Sequence, residues 1–235
     1  MNENSAVNFR APIKPRHEEM KLYYSKLSSS MAVHLLLEEI GRPYTAVAMD
    51  LKAKDQFHPE FLSVNPKGRV PALVIERGAG KTVVLTEVPA ILAYLAQVHE
   101  DQSIAPSEVL DFAVAQSFNM YLAATVHIAH AHRLRGARWS DSPDCQHSMA
   151  AKVADNMADC MAFIEQHYLK GPWVLGQNYS ICDPYLFTVS QWLAGDGVDL
   201  NMFPAIRAHT EEMLKRPAVR RIVPLHGQPL GEQVM

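Results

Sequence analysis

Three serines in succession, Ser28, Ser29 and Ser30, stand just before an apolar helical pattern. A serine hydroxyl at a helix start can cap free amide hydrogens. It can also donate a hydrogen bond to an anion held at the positive end of the helix dipole. Histidines form a second concentration of chemistry: His127, His130 and His132. On a helix, at about 100° per residue, His127 and His130 share a face and His132 lies roughly 200° round from His130. Ligands that fail to converge make a poor metal site, no acid stands suitably close in sequence, and no metal is expected. Glu87 and Val88 open another helical pattern, where an acid can steady the first turn or meet a cation beside an anion-binding helix end. Taken alone, Lys54 is a solvated charge and Trp192 a core tryptophan on an apolar helix.

These groups need elements to position them. Lys21 to Ser25 has the aromatic content of a short strand. After the serines, Val33, Leu36, Leu37 and Ile40 fall at i, i+3, i+4 and i+7, one apolar face of a helix that Gly41 and Pro43 should end. Tyr44 to Leu51 is predicted as a second strand. Asn65 to Arg69 is a loop, and Val70 to Ile75 a strand-length apolar run in which Pro71 can donate nothing to a ladder. A turn through Gly78 and Gly80 leads to Thr82–Leu85, a hairpin partner. Val88, Ile91, Leu92 and Leu95 then repeat the helical spacing, with Pro89 tolerable in the first turn.

Composition shifts after His99, and residues 100–108, with Asp101, Ser103 and Pro106, have the character of a linker. From Val109 onward the pattern is helical, and Ser180 to Asp183 is predicted as a capping box before an apolar run. The division expected is a polar arm over 1–19, a domain of strands and helices over 20–99, the linker, and an all-helical domain over 109–235.

Hydrophobic residues make up 48% of the 235 residues and charged ones 20%, with a formal net charge of -3. That composition suits a soluble globular protein and offers no basic excess for nucleic acid or an anionic membrane. The first twenty residues contain no apolar core of signal-peptide length, and no run approaches the roughly 18 apolar residues of a membrane span. Cys145, Cys160 and Cys182 are odd in number and form no Cys-x-x-Cys pair, which argues against a disulfide scaffold and for a reducing, cytoplasmic setting. They are expected to be small apolar filler.

Met20-Lys21-Leu22-Tyr23-Tyr24, Glu38-Glu39-Ile40-Gly41, Asn65-Pro66-Lys67-Gly68-Arg69-Val70-Pro71-Ala72-Leu73 and Leu85-Thr86-Glu87 followed by Pro89-Ala90-Ile91-Leu92 occur in this order. Together they resemble the N-terminal domain of bacterial glutathione transferases, closest to the beta class. Ser180-Ile181-Cys182-Asp183-Pro184-Tyr185-Leu186-Phe187 resembles that family's helix-capping segment. The resemblance runs from Met20 to about Val223 and implies a thioredoxin-like α/β domain joined to an all-α bundle. It also implies glutathione as cosubstrate, and a homodimer pairing the N-domain of one subunit with the helical domain of the other.

The resemblance assigns roles residue by residue. It implies a cis Val70-Pro71 bond, with the Val70 backbone pairing the cysteinyl backbone of glutathione. The helix start at Thr86, Glu87 and Val88 would take the γ-glutamyl carboxylate, with Glu87 on the ammonium; the family usually has Ser where Val88 stands. Lys54 matches a lysine that reaches the glycyl end. Ser29 matches the beta-class Cys, and Ser28 the catalytic Ser of theta- and delta-like chains. His127 matches a histidine facing the sulfur, and Trp192 a tryptophan flanking the pocket for a small hydrophobic electrophile. Where beta-class chains place an Asn that reaches the partner subunit's glutathione, this chain has Met120, with Asn119 beside it.

A thiol of pKa about 8.5 is mostly protonated at neutral pH, so a hydroxyl donor beside a helix start would favour its thiolate. That points to glutathione conjugation or thioether cleavage. A glutathione-dependent thiol-disulfide or peroxide reductase is the redox alternative, against which the absence of Cys at Ser28 to Ser30 counts. A non-catalytic binding or regulatory protein on the same fold is the other.

Overall fold

The computed structural model describes residues 19–78, 80–100 and 103–227. The expected polar arm lies outside them, except for Glu19, which opens the first strand. Strand β1 (Glu19–Tyr24) leads into helix α1 (Ser30–Ile40), β2 (Tyr44–Ala48), α2 (Pro59–Val64), β3 (Ala72–Glu76), β4 (Thr82–Thr86) and α3 (Val88–Val98). The four strands lie in the order β2-β1-β3-β4. β1 runs parallel to β2 and antiparallel to β3, and β3 runs antiparallel to β4. Leu22 pairs with Ala46 on one side and Leu73 on the other, and Leu73 pairs with Leu85. This is the thioredoxin-like half that the order of elements predicts.

Alternation along β1 sends Met20, Leu22 and Tyr24 into the main core. Tyr23 faces the other way and meets Phe61 of α2 with ring centroids 5.2 Å apart. α2 is a helix that the sequence reading passed over. Pro59 at its first turn suits a helix start, but six residues are too few to display a period.

Two strand predictions need trimming. β2 stops at Ala48, because Asp50 Oδ1 accepts from the Lys52 and Ala53 amides at 2.8 and 3.3 Å and folds the chain into a local turn. β3 begins only after Pro71, which has no N–H for the ladder.

The second half consists of α4 (Val109–Tyr121), a π-helical segment Leu122–Val126, α5 (His127–Arg135), α6 (Pro143–Ala151), α7 (Val153–His167), α8 (Asp183–Ser190), α9 (Leu193–Asp196), α10 (Pro204–Lys215) and α11 (Pro217–Ile222). The Val109–Arg138 stretch is one continuous helical run, long and apolar enough by length and composition alone to cross a membrane. This corrects the expectation that no segment reaches that measure. In the fold its inner side chains Ala115, Phe118, Leu122 and Val126 are buried in the main core.

α1 joins the halves. Val33, Leu36, Leu37 and Ile40 belong to the core that includes the sheet, as their spacing predicts. Met31 and Leu35 lie on the opposite side, with Phe187 of α8, Met213 of α10 and Val219 and Ile222 of α11. Every residue from Ser30 to Leu37 is buried, so this part of the helix is covered on both sides. It ends at Gly41, whose left-handed φ of 70° lets its amide return to the Leu37 carbonyl.

Helix α8 starts from a buried acid rather than a standard capping box. The Ser180 amide and hydroxyl donate to Asp183 Oδ2 at 2.6 and 3.1 Å. The Ser180 hydroxyl accepts from the Cys182 amide at 3.2 Å, one residue earlier than a box requires. Asp183 Oδ1 also receives the Val174 amide at 2.8 Å and His209 Nε2 at 3.0 Å, so the expected cap is a wider buried network. Cys160 and Cys182 are buried filler as expected, whereas Cys145 is exposed.

Candidate functional site

A cleft of about 510 Å³ opens where the sheet's loops meet α5. Its floor comes from the β1–α1 turn (Leu27, Ser28, Ser29), the loop before β3 (Gly68 to Pro71) and the β4–α3 junction (Thr86 to Pro89). Its far wall comes from Ala123, His127, Ala131 and Arg135, spaced four residues apart along one helix face, with Arg138, Trp139 and Trp192 beside them. The π-helical turn lies immediately before His127 and resets the phase of that face.

The serine run divides its labour. Ser28 Oγ donates to the Ser25 carbonyl at 2.9 Å, lies 2.6 Å from Ser30 Oγ and accepts from the Ser30 amide at 3.3 Å. Ser30 Oγ also accepts from the Ser25 amide at 3.1 Å. Both hydroxyls are thus spent knitting the turn to the first residues of α1. Ser29, at the flanking position, caps nothing with its side chain and lines the cleft. Among the described residues, its hydroxyl has no hydrogen-bond partner.

The Val70-Pro71 peptide is cis. Asn65 shapes the loop before it, its Nδ2 donating to the Arg69 carbonyl at 2.7 Å. Gly68 has a left-handed φ of 58°, and a Cβ there would meet the Phe57 ring at 2.9 Å. Among the described residues Val70 makes no backbone hydrogen bond, so its peptide groups remain available. Glu87 also has a positive φ, 70°, unusual for a residue with a side chain. It precedes α3 and takes Lys67 Nζ at 2.7 Å, while the same ammonium donates to Thr86 Oγ1 at 2.9 Å. Val88 lines the cleft, but its side chain is buried in the main core. Lys54 stands at a left-handed position, φ 65°, and is not among the lining residues; Leu51, Gln56 and Phe57 of its segment are.

The histidines separate by environment. His127 lines the cleft, with its ring centroid 5.1 Å from that of Trp192. Burial, followed by the positive charges of Arg135, His130, Arg138 and Arg69, pushes its pKa down to about 4, so it is neutral at pH 7. His130 stacks on Trp192 at 4.3 Å, and its Nδ1 lies 2.7 Å from Asp196 Oδ2. An acid therefore does stand beside the histidines, brought from α9 by the fold rather than by sequence proximity. His132 points elsewhere and meets Trp139 edge-on at 4.4 Å. Among the described residues no cluster of three or more potential metal ligands forms. Trp192, only 5% exposed, is both packed in the core and part of the cleft wall.

The fold thus gathers Ser28, Ser29, Val70, Pro71, Glu87, Val88, His127 and Trp192 around one cleft and leaves Lys54 outside its lining. The sequence reading missed Lys67, Arg69, Arg135 and Arg138. Two of these sit inside the quoted loop Asn65 to Arg69. The others follow His127 at a helical spacing, a signal that was available.

The family description "Glutathione S-transferase, N-terminal domain" matches residues 19–97. Glutathione S-transferase GstA of Escherichia coli O157:H7 is 30% identical over 210 residues, covering 88% of this chain and 99% of that one. The disulfide-bond oxidoreductase YfcG of Escherichia coli K12 is 28% identical over 206 residues, covering 84% and 91%. A crystal structure of a glutathione transferase homologue from Sulfitobacter with bound glutathione has a TM-score of 0.84 at 39% identity, covering 90% of this chain and 99% of that one.

Proposed function

Because the chain belongs to the glutathione S-transferase family, we propose that it binds glutathione in this cleft, holds it as the thiolate and conjugates it to a small electrophile. The observation that carries the reading is the Ser29 hydroxyl, the one member of the serine run left without a partner, at the start of α1. A donor there would lie beside the sulfur and favour its charged form. The surrounding positive charge, from the helix start and from Arg69, Arg135 and Arg138, acts in the same direction. Neutral His127 would face the sulfur from the opposite wall.

The tripeptide would be held by the free Val70 peptide beside Pro71, by the amide of Val88, and by Glu87 on the γ-glutamyl ammonium. Lys54 would meet the glycyl end only by reaching in from outside the lining. In the reaction the thiol proton leaves to solvent. The sulfur lone pair then bonds to the electrophilic carbon, and the leaving group departs with the bonding pair. The apolar body of the electrophile would rest on Trp192. Neither Cys160 nor Cys182 is exposed and Cys145 does not line the cleft, which favours conjugation over disulfide exchange by a protein thiol.

The same reading makes residues 20–99 the glutathione-binding domain and 109–235 the helical one, in a cytoplasmic homodimer. Exposed Val109, Leu110 and Val114 on α4 support a face for a second subunit. The test is calorimetry. Wild type should bind glutathione, and Glu87→Ala should lose about 1.5–3 kcal/mol of binding with its fold intact, the cost of a hydrogen bond to a charged group. Unchanged affinity would reduce Glu87 to a first-turn acid, and no binding by wild type would remove the reading.

A further inference from the structure

The wall that faces Ser29 is not the apolar surface a hydrophobic acceptor would choose. Arg69, from the loop before β3, and Arg135 and Arg138, from the end of the long helix, all line the cleft. Among the described residues none of the three has a carboxylate within ion-pair distance. Four arginines elsewhere do: Arg133 with Asp196, Arg207 with Glu211, Arg216 with Glu39 and Arg221 with Glu38. Of the lining residues only Glu87 is acidic, and Lys67 already pairs with it. The guanidinium charges are close enough to act on one another: burial, then Arg69, lowers the pKa of Arg135, and burial, then Arg135 and Arg69, lowers that of Arg138. Like charges brought together without a counter-charge repel, and an anion relieves them. Guanidinium groups match the oxygens of a carboxylate in two-pronged fashion. Trp139, exposed on the same wall, offers flat apolar surface for the rest of such a molecule, next to the small part of Trp192 that lines the cleft.

We propose that the acceptor taken by this cleft carries a carboxylate or similar oxyanion, seated on Arg69, Arg135 and Arg138, with its apolar body against Trp139 beside Trp192. The proposal rests on the glutathione reading above and names the substrate class of the same site. Two molecules present that chemistry: an aromatic or unsaturated organic acid as electrophile, and a second glutathione through its own carboxylates.

The test compares conjugation of 4-chloro-3,5-dinitrobenzoate with that of its carboxamide, which has the same ring and leaving group without the charge. With each value divided by the compound's uncatalysed rate with glutathione, wild type should prefer the acid in kcat/KM by about tenfold to a hundredfold, the size of a charge-assisted hydrogen bond. The preference should shrink with added salt. Arg135→Gln and the more exposed Arg138→Gln should each collapse the ratio, whatever happens to the absolute rates. Calorimetry with glutathione alone separates the sources. One glutathione per chain in wild type assigns the seat to the electrophile. A second, weaker site lost in Arg135→Gln assigns it to another glutathione. Equal accelerations of acid and amide over their uncatalysed rates, with glutathione binding intact, would overturn the proposal while sparing the reading beneath it. So would a fall in the affinity of the first glutathione in Arg135→Gln without loss of acid preference, because the arginines would then serve that glutathione's own carboxylate. Failure of wild type to bind glutathione at all would remove both.

Discussion

Replacing Asp183 by Ala should unfold the helical half more easily than any single change in the cleft. Its side chain is fully buried and accepts from the Val174 amide (2.8 Å), the Ser180 amide (2.6 Å), the Ser180 hydroxyl (3.1 Å) and His209 Nε2 (3.0 Å). Alanine leaves two buried backbone donors and an imidazole without that acceptor. At roughly 1–3 kcal/mol for each of these three orphaned donors, the loss is about 3–9 kcal/mol. That is a large share of a stability of about 5–15 kcal/mol. Ser180→Ala is the control. It removes only the hydroxyl bonds to Asp183 and to the Cys182 amide and should cost about 1 kcal/mol, an ordinary cap. Urea unfolding followed by circular dichroism reads both as shifts in midpoint at constant slope. Because α8 carries Tyr185 into the cleft lining, surviving Asp183→Ala protein should also lose glutathione binding as it is warmed. An Asp183→Ala cost below about 1 kcal/mol, or a Ser180→Ala cost equal to it, would refute the reasoning that the acid organises this junction.

Acid should also destabilise the fold through a buried imidazole pair. His34 Nδ1 lies 3.1 Å from His226 Nε2. Burial lowers His34 to about 4, against a smaller rise from Glu38, and burial followed by the charge of His34 lowers His226 to about 3. The unfolded chain takes up these protons near pH 6.5, so stability is full above that pH and falls from there down through pH 4 to about 3. Midpoints measured at pH 7.5 and 5 should differ in wild type and differ less in His226→Leu; equal wild-type midpoints would contradict the sign. A homodimer should sediment at twice the 26.2 kDa of the chain at micromolar concentration, and a monomer there would contradict the pairing proposed for α4.

The fold was legible where periodicity and punctuation agree. Val33, Leu36, Leu37 and Ile40 predicted one face of α1, and Gly41 its end. The second buried face, Met31 and Leu35, was hidden because its partners on α8, α10 and α11 lie more than 150 residues further along the chain. α2 was too short to show a period, and β2 was shortened by an Asp50 turn that local chemistry decides. At the site, the order of the loop residues led to Val70, Pro71 and Glu87. Sequence could not divide Ser28 from Ser29, because the difference is one of hydrogen-bond partners: Ser28 reaches Ser25 and Ser30, and Ser29 reaches neither. Asp196 beside His130 was equally invisible, being 66 residues away along the chain. Arg135 and Arg138 follow His127 at a helical spacing and could have been found, whereas their meeting with Arg69 depends on two halves of the chain coming together.

The most direct test of the account is the ionisation of bound glutathione, followed by the ultraviolet absorbance of its thiolate across pH. Wild type should hold the thiol well below its free value of about 8.5. Ser29→Ala should raise it by about one to two units, the equivalent of losing a 1.5–3 kcal/mol hydrogen bond to a charged sulfur. Conjugation should slow at neutral pH and recover at high pH, where glutathione ionises unaided. Ser28→Ala and Ser30→Ala should weaken the turn before α1 yet leave the bound thiol where it was. A shift confined to Ser28→Ala would move the donor one residue back. A bound thiol unmoved in all three variants would leave the run as a helix cap and contradict the claim that Ser29 holds the thiolate.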